Sequence, residues 1–446
     1  MNQTIQDGGS ARQYLRGFGN QFESEAIAGA LPVSMNSPQH VPYGLYAEQL
    51  SGTAFTSVRA EGRRTWTYRM LPSASDAPYE PAQAGGWLTA PMQEGAFDFR
   101  PMRWRPLSCD GDTDFRAGLL TIGANGNAAE QVGCAIHVYA ASRSMTDEAL
   151  CNCDGELLIV PQEGGIEVQT ELGWLAVRPG EIVVIPRGLC FRVELTGALA
   201  RGYVLENYGP ALRLPELGPI GANGLANPRD FHCPVAAFDN IGKSYAVIHK
   251  YCGQFWVRRL ASSPFNVVSW HGNLVPFKYD LERFNAFGSV SYDSPDPSIS
   301  TVLTSPSPQP GTAYVDFVVF PPRWQVAEGT FRPPYFHRNV MTEFMGLIYG
   351  EYEGKREGFR PGGFSLHSSM APHGPDQATY VRGVEEPVVP NKLSGTMAFM
   401  FETKLPLMLN KAVLDLPELD GAYLECWRGF HPARAAAEGR GHQQRL

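Results

Sequence analysis

Long apolar runs are missing from this chain, and no stretch approaches the roughly 20 apolar residues that a membrane-spanning helix needs. The opening MNQTIQDGGSARQYLRGFGNQFESEAIAGA holds no apolar core of signal-peptide length. Cysteine is scarce: 8 in 446 residues are too few for a disulfide scaffold, which points to reduced thiols in a cytoplasmic protein. Only Cys151 and Cys153 lie close together, in CNCDG. With no second cysteine pair and no histidine at zinc-finger spacing, that stretch reads as a turn rather than a metal knuckle. Runs of lysine or arginine are absent and the net charge is -8, which argues against nonspecific nucleic-acid binding. The short basic KREGFR at 355–360 reads as a solvated turn. Several catalytic signatures are missing as well: no G-x4-GK[ST] phosphate loop, no G-x-S-x-G elbow and no HExxH. GFGNQF at 17–22 begins like a dinucleotide loop, but Phe22 stands where the third glycine belongs and no apolar strand precedes it.

What is present favours strands. The chain carries 47 Gly, 36 Pro, 24 Phe and 18 Tyr, and it is long enough for two globular domains. In 155–195 the runs LLIV, IEVQT, WLAV, EIVVI and CFRVEL alternate with the breakers PQEGG, ELG, RPG and PRG. That is the rhythm of antiparallel hairpins in a sandwich or barrel. The block also resembles the cupin barrel: Gly180, Pro186 and Gly188 fall at the spacing G-x5-P-x-G-x2-H. Phe191 stands in place of the metal-binding histidine, and the H-x-H pair is absent, so the resemblance implies a barrel without metal. A second strand-rich region runs from TVLTS (301–305) through AYVDFVVF (313–320) and MGLIYGEY (345–352) to GTMAFMFETKL (395–405).

The expected class is therefore mainly β and bicupin-like, two β-barrel or sandwich domains with long ordered loops. The expected division is a tail at 1–13, a metal-free domain at 14–281, a catalytic domain at 282–432 and a tail at 433–446. The boundary is placed where WHGNLVPFKYDLERFN turns irregular, and 205–235 is expected to be a long loop.

Three of the ten histidines, His337, His367 and His373, fall within 37 residues. Glu343 sits among Phe344, Met345 and other apolar residues, where an unpaired charge costs several kcal/mol. His337 and Glu343 are an even number of residues apart, so on one strand both would face the same side. His367 and His373 are expected in a loop shaped by Gly362, Gly363, Pro372, Gly374 and Pro375. Two histidines and a carboxylate form the facial set that leaves coordination positions open on non-haem iron(II). A glutamate that merely hydrogen-bonds His337 or Arg338 is the other reading that spacing leaves open.

TFRPPYFHRNVMTEFMGLIYGEYEGK (330–355) and PGGFSLHSSMAPHGPD (361–376) resemble the iron site of the homogentisate 1,2-dioxygenase family. The resemblance extends over nearly the whole chain, through YLRGFGNQFESE (14–25), PYGLYAEQLSGTAFT (42–56), WHGN (270–273), DPSI (296–299) and FPPRW (320–324). It implies Fe(II) held by His337, Glu343 and His373, substrate contact by Tyr352 and His373, and a pocket-lining, proton-handling role for His367. It further implies ring opening of homogentisate by O2 to maleylacetoacetate, in an extradiol-type step of tyrosine and phenylalanine catabolism. A homo-hexamer built as a dimer of trimers is implied too. One position departs. The family carries a proton-accepting histidine two residues before DPSI, and this chain has Ser294 there. A serine hydroxyl is no general base near neutral pH, and losing such a base costs about 10²- to 10⁴-fold. Another hydroquinone or gentisate-like phenol as substrate, an impaired bicupin, or a non-catalytic binding protein are the alternatives this leaves.

Overall fold

The β-branched runs become strands almost residue for residue, because each is short, apolar and bounded by glycine or proline. IEVQT, EIVVI and CFRVEL coincide with the strands Ile166–Thr170, Glu181–Ile185 and Cys190–Leu195 of the computed structural model. The structure describes residues 5–6 and 12–433, apart from 110, 217–223, 240–241, 287–288, 291–299, 328 and 356–357. Ser294 and most of both expected tails lie outside the described residues.

The strands are not joined as a plain series of hairpins. Ile166–Thr170 pairs across its turn with Gly173–Val177, but Glu156–Glu163 pairs over that hairpin with Glu181–Ile185. Cys190–Leu195 then returns to Ile166–Thr170. The chain thus passes back and forth between a ten-stranded and a seven-stranded sheet. All five side chains of Glu181–Ile185 are buried, which explains why Ile182–Ile185 is continuously apolar instead of alternating. Phe191 is fully buried and meets Phe115 edge-on, so hydrocarbon fills the position that a cupin motif gives to a ligand.

This first half nonetheless buries charge. Glu206 accepts hydrogen bonds from Trp87 Nε1 at 3.0 Å, Asn152 Nδ2 at 2.8 Å and Lys250 Nζ at 2.6 Å. Lys250 also reaches Asp154 at 2.7 Å, and His137 Nε2 lies 3.3 Å from Glu206. Burial alone would raise the Glu206 carboxyl, but Lys250 and His137 hold it down to about 2.

The second half is carried by a six-stranded sheet. Its order is Thr301–Pro306, Ala313–Phe320, Met397–Thr403, Thr342–Tyr349, Phe364–His367 and Met102–Trp104. The last of these comes from the first half. In return, Met408–Leu409 pairs with Leu119–Ala124 of the ten-stranded sheet. Each exchange covers a sheet edge that would otherwise expose unpaired backbone groups. Tyr203 seals the junction: its ring meets Phe399 at 4.8 Å, and its hydroxyl donates to the Gly363 carbonyl at 2.8 Å.

Three local expectations change. The stretch expected to be irregular before residue 281 contains the strands Val267–Gly272 and Phe277–Asp280. The expected loop 205–235 supplies Phe231–Pro234, which lies between Gln13–Arg16 and Phe277–Asp280. Gln13, expected in the tail, therefore opens a strand. Among the described residues, no helix is long and apolar enough to cross a membrane.

Candidate functional site

Glu343 is the second residue of the Thr342–Tyr349 strand. Across the sheet it faces His367 on one side and Glu402 on the other, and Glu402 in turn faces Asp316. Residues directly opposite one another point to the same side of a sheet. One row therefore carries three carboxylates and a histidine into a cavity of about 400 Å³. Burial pushes the Asp316 carboxyl up to about 6 in spite of a hydrogen bond with Thr304. Asn339 Nδ2 donates to Glu343 Oε1 at 2.9 Å and also to Glu402, bridging the other two acids.

His337 and Glu343 do not share a strand, so parity is not what brings them together. His337 forms a single antiparallel bridge with His373, each N–H donating to the other's carbonyl at 2.9 and 3.1 Å. The chain bends before the strand begins at Thr342. Gly374 permits this approach, because a Cβ there would sit 2.5 Å from the Phe336 ring and 2.9 Å from its Cα. Beyond Pro375, Asp376 caps the helix Gln377–Glu385 by accepting from the Thr379 N–H at 2.7 Å, which fixes the far end of the His373 loop.

The two imidazoles are oriented by their outer nitrogens. His337 Nδ1 donates to the Tyr335 carbonyl at 2.8 Å and His373 Nδ1 donates to the Ala371 carbonyl at 2.9 Å. A carbonyl can only accept, so in the neutral rings the protons reside on Nδ1 and the Nε2 lone pairs point inward. There they meet Glu343, at 3.6 Å from His337 and 3.0 Å from His373. The three donor atoms all lie within 4.8 Å of one another. Donors bound at about 2.1 Å to adjacent positions of an octahedral ion sit about 3 Å apart. Two imidazole nitrogens and a carboxylate oxygen converging on one point suit a divalent cation, which satisfies all three. The residues present fit a metal ion, with outer-nitrogen hydrogen bonds of the kind that orient metal-binding histidines. Burial alone would raise the Glu343 carboxyl; positive charge on His337 and His373, or a cation seated between them, holds it well below its ordinary value.

His367 ends the Phe364–His367 strand instead of lying in a loop, and its ring stacks on His373 with centroids 4.1 Å apart. Its Nδ1 is 4.0 Å from Glu343, farther than His337 or His373. Its Nε2 is 2.9 Å from the Tyr423 hydroxyl, which also takes a hydrogen bond from Lys355. Burial, with His373 and Lys355 beside it, pushes the His367 pKa well down, which keeps the ring neutral. Lys355 opens KREGFR, expected to be a solvated turn, yet it is only 7% exposed and is drawn down to about 8 by burial. Tyr352 lines the same cavity between Phe320 and Phe359, and burial raises its phenol.

Sequence reasoning missed Asp316, Asn339, Lys355, Glu402 and Tyr423. A signal existed for two of them, since Asp316 and Glu402 are lone acids in the apolar runs AYVDFVVF and MAFMFET, just as Glu343 is in its own. Tyr423 arrives from a 3-10 turn near the end of the chain and carried no signal. A wider depression of about 830 Å³ lies along Arg12, Trp174 and Lys278, faces solvent and has no histidine in its lining.

A mainly β, bicupin-like chain that converges two imidazoles and a carboxylate in a buried cavity has the build of a metal-binding β-barrel protein. Which one follows from comparison: family models described as the N-terminal and C-terminal parts of homogentisate 1,2-dioxygenase match residues 13–281 and 282–434. The chain belongs to the homogentisate 1,2-dioxygenase family. The homogentisate 1,2-dioxygenase of Pseudomonas fluorescens strain Pf0-1 is 55% identical over 422 residues, 94% of this chain and 96% of the relative. That of P. fluorescens strain Pf-5 is 53% identical over 433 residues, 95% and 98% of the two chains. Among solved structures, a cupin 2 conserved barrel domain protein from Leptotrichia buccalis aligns at 9% identity and a TM-score of 0.27, over 65% of this chain and 90% of that one.

Proposed function

We propose that the cavity of the second half is where homogentisate and O2 are converted to maleylacetoacetate, with Fe(II) held by His337, Glu343 and His373. The observation that carries this is the pair of inward Nε2 lone pairs facing Glu343, in a chain 55% identical to a homogentisate 1,2-dioxygenase. When bound, the ion supplies the spin-allowed route for O2 and lowers the pKa of a coordinated phenol. The protein's side chains do the rest. Tyr352, held edge-on to Phe320 and Phe359, presents its hydroxyl to the substrate ring. His367 keeps its proton on Nδ1, because the Tyr423 hydroxyl, itself bonded by Lys355, donates to Nε2. That leaves one N–H beside the reacting face and a buried ammonium behind it. Arg103, Arg338 and Lys355 line the cavity and suit a substrate that carries a carboxylate. Buried apolar residues such as Met345, Phe359 and Met400 limit water, which strengthens each of these polar contacts.

The same proposal divides the chain into a metal-free 14–281 and a catalytic 282–432, and includes a dimer of trimers in the cytoplasm. Ser294 enters it as the position from which the proton-accepting histidine is missing, while His367, with its Nδ1 proton towards the cavity, acts there as a hydrogen-bond donor to the substrate. The test is oxygen uptake by protein loaded anaerobically with Fe(II) and then given homogentisate in air-saturated buffer. One O2 consumed per substrate is expected. Bound iron without uptake would shift the reading to another hydroquinone, and Ser294→His would show whether the missing imidazole is the cause.

A further inference from the structure

The seven-stranded sheet of the first half carries a second donor cluster of different chemistry. Cys151, on Glu148–Asn152, has Cys190 as its antiparallel neighbour and His249 as its parallel neighbour. Neighbours in register share a face of the sheet, and Cys153 lies two residues on from Cys151 along the chain. The side chains of Cys151, Cys153 and His249 converge so that their sulfur and nitrogen atoms all lie within 4.8 Å of one another. The two sulfurs are 4.0 Å apart. That is far too long for a disulfide, whereas two thiolates held at about 2.3 Å by one tetrahedral ion sit about 3.8 Å apart. The histidine absent from zinc-finger spacing is thus supplied by a parallel strand from much farther along the chain.

A second observation points to a ligand. His249 Nε2 is buried and has no hydrogen-bond partner among the described residues, although its ring is positioned edge-on to Tyr79 with centroids 5.4 Å apart. Hard donors are withheld from the cluster. Asp154, next along the chain, turns its carboxylate to Lys250 Nζ at 2.7 Å and to the Gly253 N–H at 2.9 Å. Two sulfurs and one imidazole, with no carboxylate, select a thiophilic d10 cation over the hard ions that oxygen donors take.

We propose that Cys151, Cys153 and His249 form a Zn(II) site, separate from the iron-type donor set of the second half, with a water molecule in the fourth position. Binding releases the thiol protons of Cys151 and Cys153 and engages His249 as neutral imidazole. The ion ties Glu148–Asn152 to its parallel neighbour Tyr245–Tyr251 at the end of both strands. The test uses full-length protein carrying Glu343→Ala and His373→Ala, so that the nitrogen–oxygen set no longer competes. Anaerobic titration with Co(II) is expected to give a thiolate-to-metal charge-transfer absorption that saturates at one equivalent and is displaced by Zn(II). Cys153→Ser removes that absorption, and His249→Asn weakens binding by roughly 10²-fold or more. In the otherwise unchanged protein, either substitution leaves oxygen uptake intact. Absence of the charge-transfer band, or a band that survives Cys153→Ser, would overturn the proposal. So would air oxidation that consumes both thiols while no metal is taken up, which would make the cluster a redox pair.

Discussion

Glu206 in the first half and Glu343 in the second are both buried carboxylates beside histidines, and their charges are met in opposite ways. Around Glu206 the protein supplies its own cation, because Lys250 lies 2.6 Å away and indole and amide donors complete the shell. Around Glu343 the contacts are two imidazoles whose lone pairs face inward and an asparagine amide. Burying a carboxylate costs several kcal/mol in either place. An ammonium on a flexible stem offsets that cost permanently and leaves nothing for a ligand. Converging acceptors offset it only when a cation arrives. The difference shows that burial of an acid beside histidines does not by itself mark a metal site. What marks it is the direction of the imidazole nitrogens and, among the described residues, the absence of an ammonium in direct contact with Glu343.

Breaking the second cluster should have the largest effect. Glu343→Ala is expected to abolish iron retention after desalting and to lower oxygen uptake at least ~10³-fold, with an unchanged far-UV spectrum. Retained iron and normal turnover would remove Glu343 from the site. Breaking the first cluster should cost stability instead. Lys250→Met leaves Glu206 and Asp154 buried without their counter-ion, and a loss of about 3–5 kcal/mol in urea unfolding is expected. A loss below about 1 kcal/mol would mean that the ammonium is not what neutralises this half.

A smaller effect should come from the support of the second cluster. Tyr423→Phe deletes the hydroxyl between Lys355 and His367, and kcat should fall about 10- to 100-fold while iron content stays the same. An unchanged kcat would reduce that relay to packing.

The mildest test is acid stability. Glu206 has a folded pKa near 2, depressed below the ordinary glutamate value, so its contribution is fully present above that ordinary value. It is lost as pH falls from there towards about 2. Glu206→Gln should therefore flatten the decline in Tm between about pH 5 and about pH 3, which calorimetry would read. An equally steep decline in the variant would place the acid-sensitive group elsewhere.

Most strands of both halves were legible because alternation, β-branching and glycine or proline breaks act over a handful of residues. Glu343 was legible for a related reason: a lone charge in an apolar run is costly enough to demand a partner. Applied evenly, the same reasoning would have singled out Asp316 and Glu402. It would not have found Lys355, whose basic surroundings resemble a surface turn. Nor would it have joined His249 to Cys151 and Cys153, since that contact depends on parallel pairing between distant segments.

Residue types and local runs carried the class of fold, the family resemblance and the three candidate ligands, because these rest on short-range patterns in the chain. The row Asp316–Glu402–Glu343–His367, the bridge that turns His337 towards His373 and the strands exchanged between halves were decided by folding. Side-chain alternation along a strand is a property of its own backbone. The register between strands is set by which distant segments pair, and a slip of one residue would send every one of those side chains to the other face.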